Sequence, residues 1–539
     1  MAKDECSFGR KCYRLNPIHF REYSHAHLND LIEQLGLNTR SDSFEIPSSF
    51  KTELSHDVVK QQVAVVLSIK KHKAMASDYA ASVSGQSSAA GSSSSSHSRA
   101  KEAKPADNKK SSVLSKWENA APFHFFMTVV PNIPQTLEER LSISLADLYD
   151  ESLGEIEESL QINFMIDVNF LMKNLAVSKC LDKPLLALYE TSNVEDLKSR
   201  KNMIKAVCVK PKSMFGHHHT KMSIFLYKDK SIRVVVSTAN LIEEDWNDYS
   251  QGVWISPSCP PALDKSKGES CSGFRSALAS YLGAYKLKDL EKWIQLVQGA
   301  DFSQVKVCLV ASVPSTGSSE VRKWGLGRVG CVLQKLVSAE VVEPNWPLVV
   351  QCSSIGSLGS MPSDWLESQL KVAMLGNARN TQSKTPLLMV YPCLKDVKDS
   401  LSGGGCLPYS FATHRNQTWL TEFVHKWRAD GRKRSRAMPH IKTYCRLSPD
   451  WKKAAWFLLT SSNLSKAAWG RSTHQGKGQN ILSYEAGVLF IPQLMIQKNH
   501  FDISHLASQE GEKLPFPFDL PPVKYESSDK LWVAEYMVQ

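Results

Sequence analysis

Long hydrophobic runs are missing from this 539-residue chain. No apolar stretch approaches the roughly 18 residues that a membrane-spanning helix needs, so a bilayer-spanning role is not expected. The opening residues, MAKDECSFGRKCYRLN, are polar and lack the apolar core of a secretory signal. Cysteine is sparse: twelve residues, scattered along the chain beyond the first two, do not form a disulfide scaffold. An intracellular protein is the expectation. Acidic surplus is lacking as well, because 65 Lys and Arg face 54 Asp and Glu and leave a charge of +11. Such a surface suits a polyanion, most simply nucleic acid. The length exceeds one compact core and suits two or three domains.

Composition divides the chain. Residues 1–29 are dense in Cys, His and aromatics. Residues 30–75 hold HLNDLIEQLG (which begins at residue 27) and SHDVVKQQVAVVLSIKK, whose spacing allows short helices of no evident role. Residues 76–113 are rich in Ser, Ala and Lys, bury little apolar surface, and are expected to form a disordered linker. Globular composition begins near 114. There SIFLY, IRVVVST, AWFLLTSS and GVLFIP have strand character, and LKDLEKWIQLVQ has helical spacing. Interleaved strands and helices predict α/β layers.

The segment FGHHHTKMSIFLY, 215–227, sets three histidines and a lysine ahead of an apolar run. Its counterpart is HIKTYCRL, so His219 and Lys221 match His440 and Lys442. Downstream, STANLIEEDW and TSSNLSKAAW share N-L-x4-W, with Asn240 and Asn463 at the expected strand ends, where a helix should begin. Each copy alone is weak; two in the same internal order are strong evidence of a repeat. In an extended chain residues i and i+2 face one way, so each His stands beside its Lys. Strand ends and helix starts favour anionic ligands. Two halves packed about a pseudo-twofold axis would bring two His, two Lys and two Asn to one phosphate-binding site.

This constellation resembles the phospholipase D superfamily, and within it the tyrosyl-DNA phosphodiesterase family. The superfamily's usual Asp, five residues after the Lys, is here Leu226 and Leu447. MPHIKTY, TSSNLSKAAWG, SYEAGVLF, SSIGSLG and CLPYS extend the likeness over most of 114–539. The resemblance implies two similar α-β-α sandwich domains, 114–300 and 301–539, with the repeat motifs meeting at one site. It implies hydrolysis of the bond between a DNA 3′ end and tyrosine, without a catalytic metal. Partners would be single- and double-stranded DNA with 3′ adducts and the tyrosyl peptide left by topoisomerase I, with no membrane, a monomeric catalytic part and a nuclear or also cytoplasmic location.

Carried over residue by residue, His219 is the nucleophile and His440 the general acid and base. Lys221, Lys442, Asn240 and Asn463 stabilise the transition state. Gln251 would orient the first imidazole and Glu485 the second, the neutral amide easing attack by His219 and the carboxylate favouring a protonated His440. Phe215 would stack on a DNA base or else pack in the core. Ser353, Ser354 and Ser465 match positions that contact the DNA backbone, and Cys406 replaces a Ser that does so in relatives. His217 and His218 stand outside the pattern; a metal site of all three histidines is disfavoured because the local sequence supplies no further ligand. The run GRKRSR, 431–436, reads equally as a DNA grip, a nuclear signal or a solvated loop. A lipid phosphodiesterase and an inactive poly(ADP-ribose)-binding scaffold are the rival functions.

The N-terminus reads Cys6-x5-Cys12-x6-His19-x5-His25, a tetrahedral zinc set, with His27 a rival to His25. Together with CYR, NP and SH it resembles the poly(ADP-ribose)-binding zinc finger, PBZ type. That likeness implies poly(ADP-ribose) as a partner, met by Tyr13 and Arg14.

Overall fold

In this computed structural model the described residues are most of 4–35, isolated positions from 45 to 67, and 112–538 apart from short breaks near 193–201, 214, 265, 319, 378–382, 404–406, 474–476 and 507–511. All but the end of the stretch read as a linker lies outside them, as do Tyr13, Arg14, His19 and Cys406. Among the described residues no helix is long and apolar enough to cross a membrane.

The chain forms two compact units. In the N-terminal one, Asp4–Glu5 pairs with Tyr23–Ser24, and a tight turn carries Cys6 toward Cys12. Helix α1, Ala26–Leu35, runs through the boundary expected at residue 29. Its Leu28, Leu31 and Ile32 recur at helical spacing and pack with Phe20 and with Val59, Val63 and Leu67, from helical positions between 56 and 67. Leu31, Ile32, Val59, Val63 and Leu67 therefore have a role that the sequence hides: they complete the finger's core. The contact is also polar, since Gln62 Nε2 donates to the Cys12 carbonyl at 2.5 Å.

The second unit, Ser111–Ala534, contains two large mixed sheets. The first uses β1 (Phe125–Thr128), β2 (Ser142–Ile143), β3 (Ile156–Ile162), β4 (Leu185–Tyr189), β5 (Ile204–Cys208), β6 (Met222–Tyr227), β7 (Ile232–Ser237) and β8 (Gly252–Ile255). The second uses β9 (Cys308–Ser312), β10 (Leu348–Gln351), β11 (Leu387–Val390), β12 (Val424–His425), β13 (Thr443–Leu447), β14 (Lys453–Thr460) and β15 (Glu485–Phe490). Order in the first is β1-β8-β7-β6-β3-β4-β5, with β2 beyond β1; order in the second is β9-β15-β14-β13-β10-β11-β12. Pairing senses match strand for strand: antiparallel from the first strand of each series to β3 or β10, and parallel for the remaining two pairings. The repeat inferred from two short motifs is thus a repeat of whole sheets. Leu226 and Leu447 are buried in β6 and β13 as core side chains.

The boundary expected at residue 300 falls between the helix Glu291–Gly299 and β9. No separation into two domains occurs there, because the halves interlock. Glu139, ahead of β2, is buried between Arg432 and Arg434. Its Oε1 accepts from Arg432 at 2.8 Å and its Oε2 from Arg434. Arg434 also donates to the Thr128 carbonyl at 2.9 Å, and Arg432 to the Phe516 carbonyl at 3.0 Å. Burial works against the Glu139 carboxylate, but the two guanidiniums outweigh it and hold its pKa below the usual value. This corrects the reading of GRKRSR. Two of its four basic side chains are internal ties, so the run is not a solvated loop throughout, and Lys433 and Arg436 are the exposed pair.

Breaking this cluster takes from Arg432 and Arg434 the buried carboxylate that they share. Glu139→Ala is expected to cost about 3–5 kcal/mol of stability, read by denaturant unfolding. A loss below about 1 kcal/mol, the range of exposed pairs, would show that water replaces the carboxylate.

Candidate active site

Both H-x-K motifs lie in extended chain just ahead of a strand, since β6 starts at Met222 and β13 at Thr443. Each approach segment hydrogen-bonds to the opposite half. His219 N–H donates to the Tyr484 carbonyl at 2.9 Å, and Tyr484 N–H to the His217 carbonyl at 2.9 Å. In the other half His440 N–H donates to the Ser250 carbonyl at 3.0 Å, and Ser250 N–H to the Met438 carbonyl at 2.9 Å. Tyr484 precedes Glu485, and Ser250 precedes Gln251. The ladder therefore fixes which side chain meets which histidine.

The pairing is the reverse of the expected one. Glu485 Oε2 lies 2.9 Å from His219 Nδ1, and Gln251 Nε2 lies 3.0 Å from His440 Nδ1. The sequence order of the motifs suggested pairing within a half; the backbone exchange makes it pairing across halves. Glu485 is held by Ser461 Oγ at 2.5 Å, and Gln251 Oε1 by Thr238 Oγ1 at 2.8 Å. Each of these hydroxyls stands two residues before its repeat's Asn.

A further residue escaped the sequence reading. Asp245, fully buried, places Oδ2 3.0 Å from His440 Nδ1 and also accepts from the Asn240 N–H at 2.6 Å. It occupies the first turn of the short helix Glu243–Asn247, and its equivalent in the second repeat is Ala468. Both histidines thus face a carboxylate, one from a strand start and one from a helix. The expected contrast between a neutral and a charged partner does not exist. The available signal was EEDW, where Asp245 alone of the three acids precedes the shared Trp, a position that points inward in both repeats.

Burial is the main cause that lowers both imidazoles to about 4, opposed by Glu485 at His219 and by Asp245 at His440. Lys442 acts on His219 and Lys221 on His440, so the two motifs share one electrostatic environment. Lys221 Nζ donates to the His219 carbonyl at 2.8 Å, and Lys442 Nζ likewise to that of His440. The Phe164 ring adjoins this group, 5.5 Å from the His219 ring and 5.3 Å from Lys221 Nζ. Asn463 Oδ1 accepts from Ser353 N–H, Ser353 Oγ and Ser354 N–H at 3.0–3.1 Å, which turns its amide nitrogen away from them. Ser353 is thereby a support for Asn463, while Ser465 caps the helix Lys466–Trp469 through Oγ, accepting from Ala468 N–H at 3.1 Å. Phe215 is 71% exposed, which removes the core-packing alternative.

His217 and His218 go elsewhere. His217 Nδ1 pairs with Glu190 Oε1 at 3.0 Å, and His218 Nε2 meets the Tyr285 hydroxyl at 3.0 Å. A carboxylate does lie near the triplet, unlike the expectation, but the three rings have three separate partners. Among the described residues the metal-binding geometry is that of Cys6, Cys12 and His25, all buried, with ligand atoms within 4.8 Å of one another. His27 is not in that group.

Two repeated sheets that share paired H-x-K and Asn residues define a phospholipase D-like enzyme. Residues 124–526 match the family profile described as Tyrosyl-DNA phosphodiesterase, and residues 3–28 match the PBZ domain. The chain is 36% identical to tyrosyl-DNA phosphodiesterase 1 of Drosophila melanogaster, covering 99% of each. It is 32% identical to tyrosyl-DNA phosphodiesterase 1 of Arabidopsis thaliana, covering 74% of this chain and 72% of that protein. The crystal structure of the yeast tyrosyl-DNA phosphodiesterase has a TM-score of 0.62 at 21% identity, covering 76% of this chain and 98% of that one, a likeness of fold. The chain belongs to the tyrosyl-DNA phosphodiesterase family.

With both imidazoles lowered to about 4, both are neutral near pH 7. An anionic phosphate bound near the two rings would favour their imidazolium forms. Binding of a 3′-phosphorylated oligonucleotide is therefore expected to take up protons, increasingly as pH falls from 8 to 6. Calorimetry in buffers of different ionisation enthalpy measures this. No uptake in that range would show that the bound phosphate raises neither imidazole.

Proposed function

We propose that this chain hydrolyses the phosphodiester between a DNA 3′ end and a tyrosine, as in stalled topoisomerase I adducts, together with other 3′-blocking lesions. The carrying observation is the pair of buried imidazoles, each with Nδ1 beside a carboxylate of the opposite half, which leaves Nε2 for chemistry.

In the first step His219 Nε2 attacks phosphorus and the phosphorus–oxygen bond to tyrosine breaks, with His440 protonating the phenolate. In the second step His440 takes a proton from water, the oxygen attacks phosphorus, and the phosphorus–nitrogen bond breaks to release a 3′-phosphate. Lys221, Lys442, Asn240 and Asn463 offset the charge on the equatorial oxygens, the part a metal plays in other phosphodiesterases. The fixed Asn463 carbonyl supports this, since its amide nitrogen keeps both protons for phosphate. Exposed Phe215, four residues before His219, suits stacking on any base. Ser354 and Ser465 complete the backbone contacts.

The N-terminal unit suits zinc, because two thiols and an imidazole already converge in a buried group. Cys6, Cys12 and His25 would hold the ion with His19, and the ion would fix the fold of a small unit. Tyr13 and Arg14 would meet adenine and phosphate of poly(ADP-ribose), bringing the enzyme to damaged DNA in the nucleus by raising its effective concentration.

Two expectations test this reading. His219→Ala should abolish cleavage of a 3′-phosphotyrosyl oligonucleotide, by about 1000-fold or more. His440→Ala should instead accumulate a covalent DNA–protein species, visible on denaturing gels, because a phenol with a pKa near about 10 leaves without much help whereas water needs the base. Trapping by the His219 variant in place of the His440 variant would reverse the roles. Separately, Cys12→Ser or a chelator should release zinc and eliminate poly(ADP-ribose) binding while turnover on the short oligonucleotide persists; turnover lost to chelator and restored by a divalent metal would overturn metal-free catalysis.

A further inference from the structure

Residues 218 and 220 alternate with the reactive pair 219 and 221, so they project to the opposite side of the extended segment. Both are fully buried and both end on one helix, Phe274–Ala284, and its C-cap residue Tyr285. Thr220 Oγ1 lies 2.5 Å from the Tyr281 hydroxyl, which lies 2.9 Å from the Tyr285 hydroxyl, which lies 3.0 Å from His218 Nε2. Tyr281 and Tyr285 are four apart, one helical turn, and so present adjacent hydroxyls. The chain of four groups starts and ends on the two neighbours of His219.

The same helix end reaches the carboxylate that orients His219. The Tyr285 ring stacks on Tyr484, with centroids 4.5 Å apart and planes 11° from parallel. Tyr484 carries the carbonyl that receives the His219 N–H, and its next residue is Glu485. One tyrosine therefore touches both sides of the His219–Glu485 pair without touching the reaction.

We infer that Tyr281 and Tyr285 are positioning residues: a buried hydroxyl chain, Thr220–Tyr281–Tyr285–His218, grips the backbone on both sides of His219 and, through Tyr484, aligns it with Glu485. The inference rests on His219 being the nucleophile. The chain is uncharged: burial, the largest cause, brings the His218 imidazole down to about 3 and raises both phenols above their usual range. It therefore acts by geometry. A displacement of about 1 Å at a nucleophile can cost about 100-fold in rate, so the rigidity of this backbone is a kinetic quantity.

The test uses the full chain and a 3′-phosphotyrosyl oligonucleotide. Wild-type turnover and the adduct trapped by His440→Ala are established first, so that a wrong nucleophile is recognised before any tyrosine is changed. Tyr285→Phe is then expected to slow single-turnover adduct formation by about 10- to 100-fold with oligonucleotide affinity within about twofold, and to move the acid limb of the rate–pH profile as the His219–Glu485 contact loosens. Thr220→Val should slow the reaction in the same way, and Thr220→Ser, which restores the hydroxyl, should recover it. Tyr525→Phe serves as a stability control, since its hydroxyl donates to the Tyr391 carbonyl at 2.9 Å in a different, partly buried contact. Should Tyr285→Phe not fold, the Thr220 pair decides alone. Unchanged adduct formation in Tyr285→Phe or Thr220→Val, or losses that vanish when rates are scaled to the folded fraction, would overturn the inference.

Discussion

Everything at this site depends on a reciprocal exchange of backbone hydrogen bonds. The segment at each H-x-K motif meets some of its amides within its half, as His218 N–H does at Glu190, but the sheet proper begins only after the lysine and leaves it without strand partners for others. It finds them in the chain just before β8 or β15 of the other half. An unpaired buried amide costs as much as a lost hydrogen bond, so this exchange is obligatory, and it brings Glu485 to His219 and Gln251 to His440. The single electrostatic environment shared by both lysines agrees with halves joined at these segments, and the buried cluster of Glu139 with Arg432 and Arg434 ties the halves a second time, so no separable boundary lies near residue 300.

The two halves reach similar electrostatics by different residues. One supplies a carboxylate at a strand start, Glu485, with Ala468 on the adjoining helix; the other supplies Gln251 at the strand start and Asp245 on the helix. What recurs is one carboxylate within hydrogen-bond reach of each Nδ1. A partner in that position orients the ring and fixes the tautomer, so either origin serves. Any asymmetry between the two imidazoles must then arise from what else each ring meets, including Phe164 beside His219 and Tyr249, whose ring lies 6.4 Å from His440.

Much of this was legible in the residues. H-x-K and N-L-x4-W, found twice in the same order, announced the repeat and its six polar groups, and the alternation of strand and helix announced the layers. What could not be read were relations between distant segments. The partner of an imidazole is chosen by chain crossing, and order along the sequence misassigned Gln251 and Glu485. Arg432 and Arg434 look solvated in one dimension because their counter-charge, Glu139, lies almost 300 residues away. Asp245 was passed over for a related reason: among three acids in a row, only burial distinguishes it.

The finger's core carries a different consequence. Phe20, Leu28, Leu31 and Ile32 are covered by Val59, Val63 and Leu67, and Gln62 holds the carbonyl of Cys12. The segment that a motif search would excise at residue 29 is thus half of a longer cassette. Recombination that transplanted only the Cys and His ligands would carry along an uncovered apolar face, whereas exchange at a joint beyond residue 67 would move a finished fold. Inherited changes at Val59, Gln62 or Val63, far from Cys6 and Cys12 in sequence, would surface as a loosened core around those two cysteines.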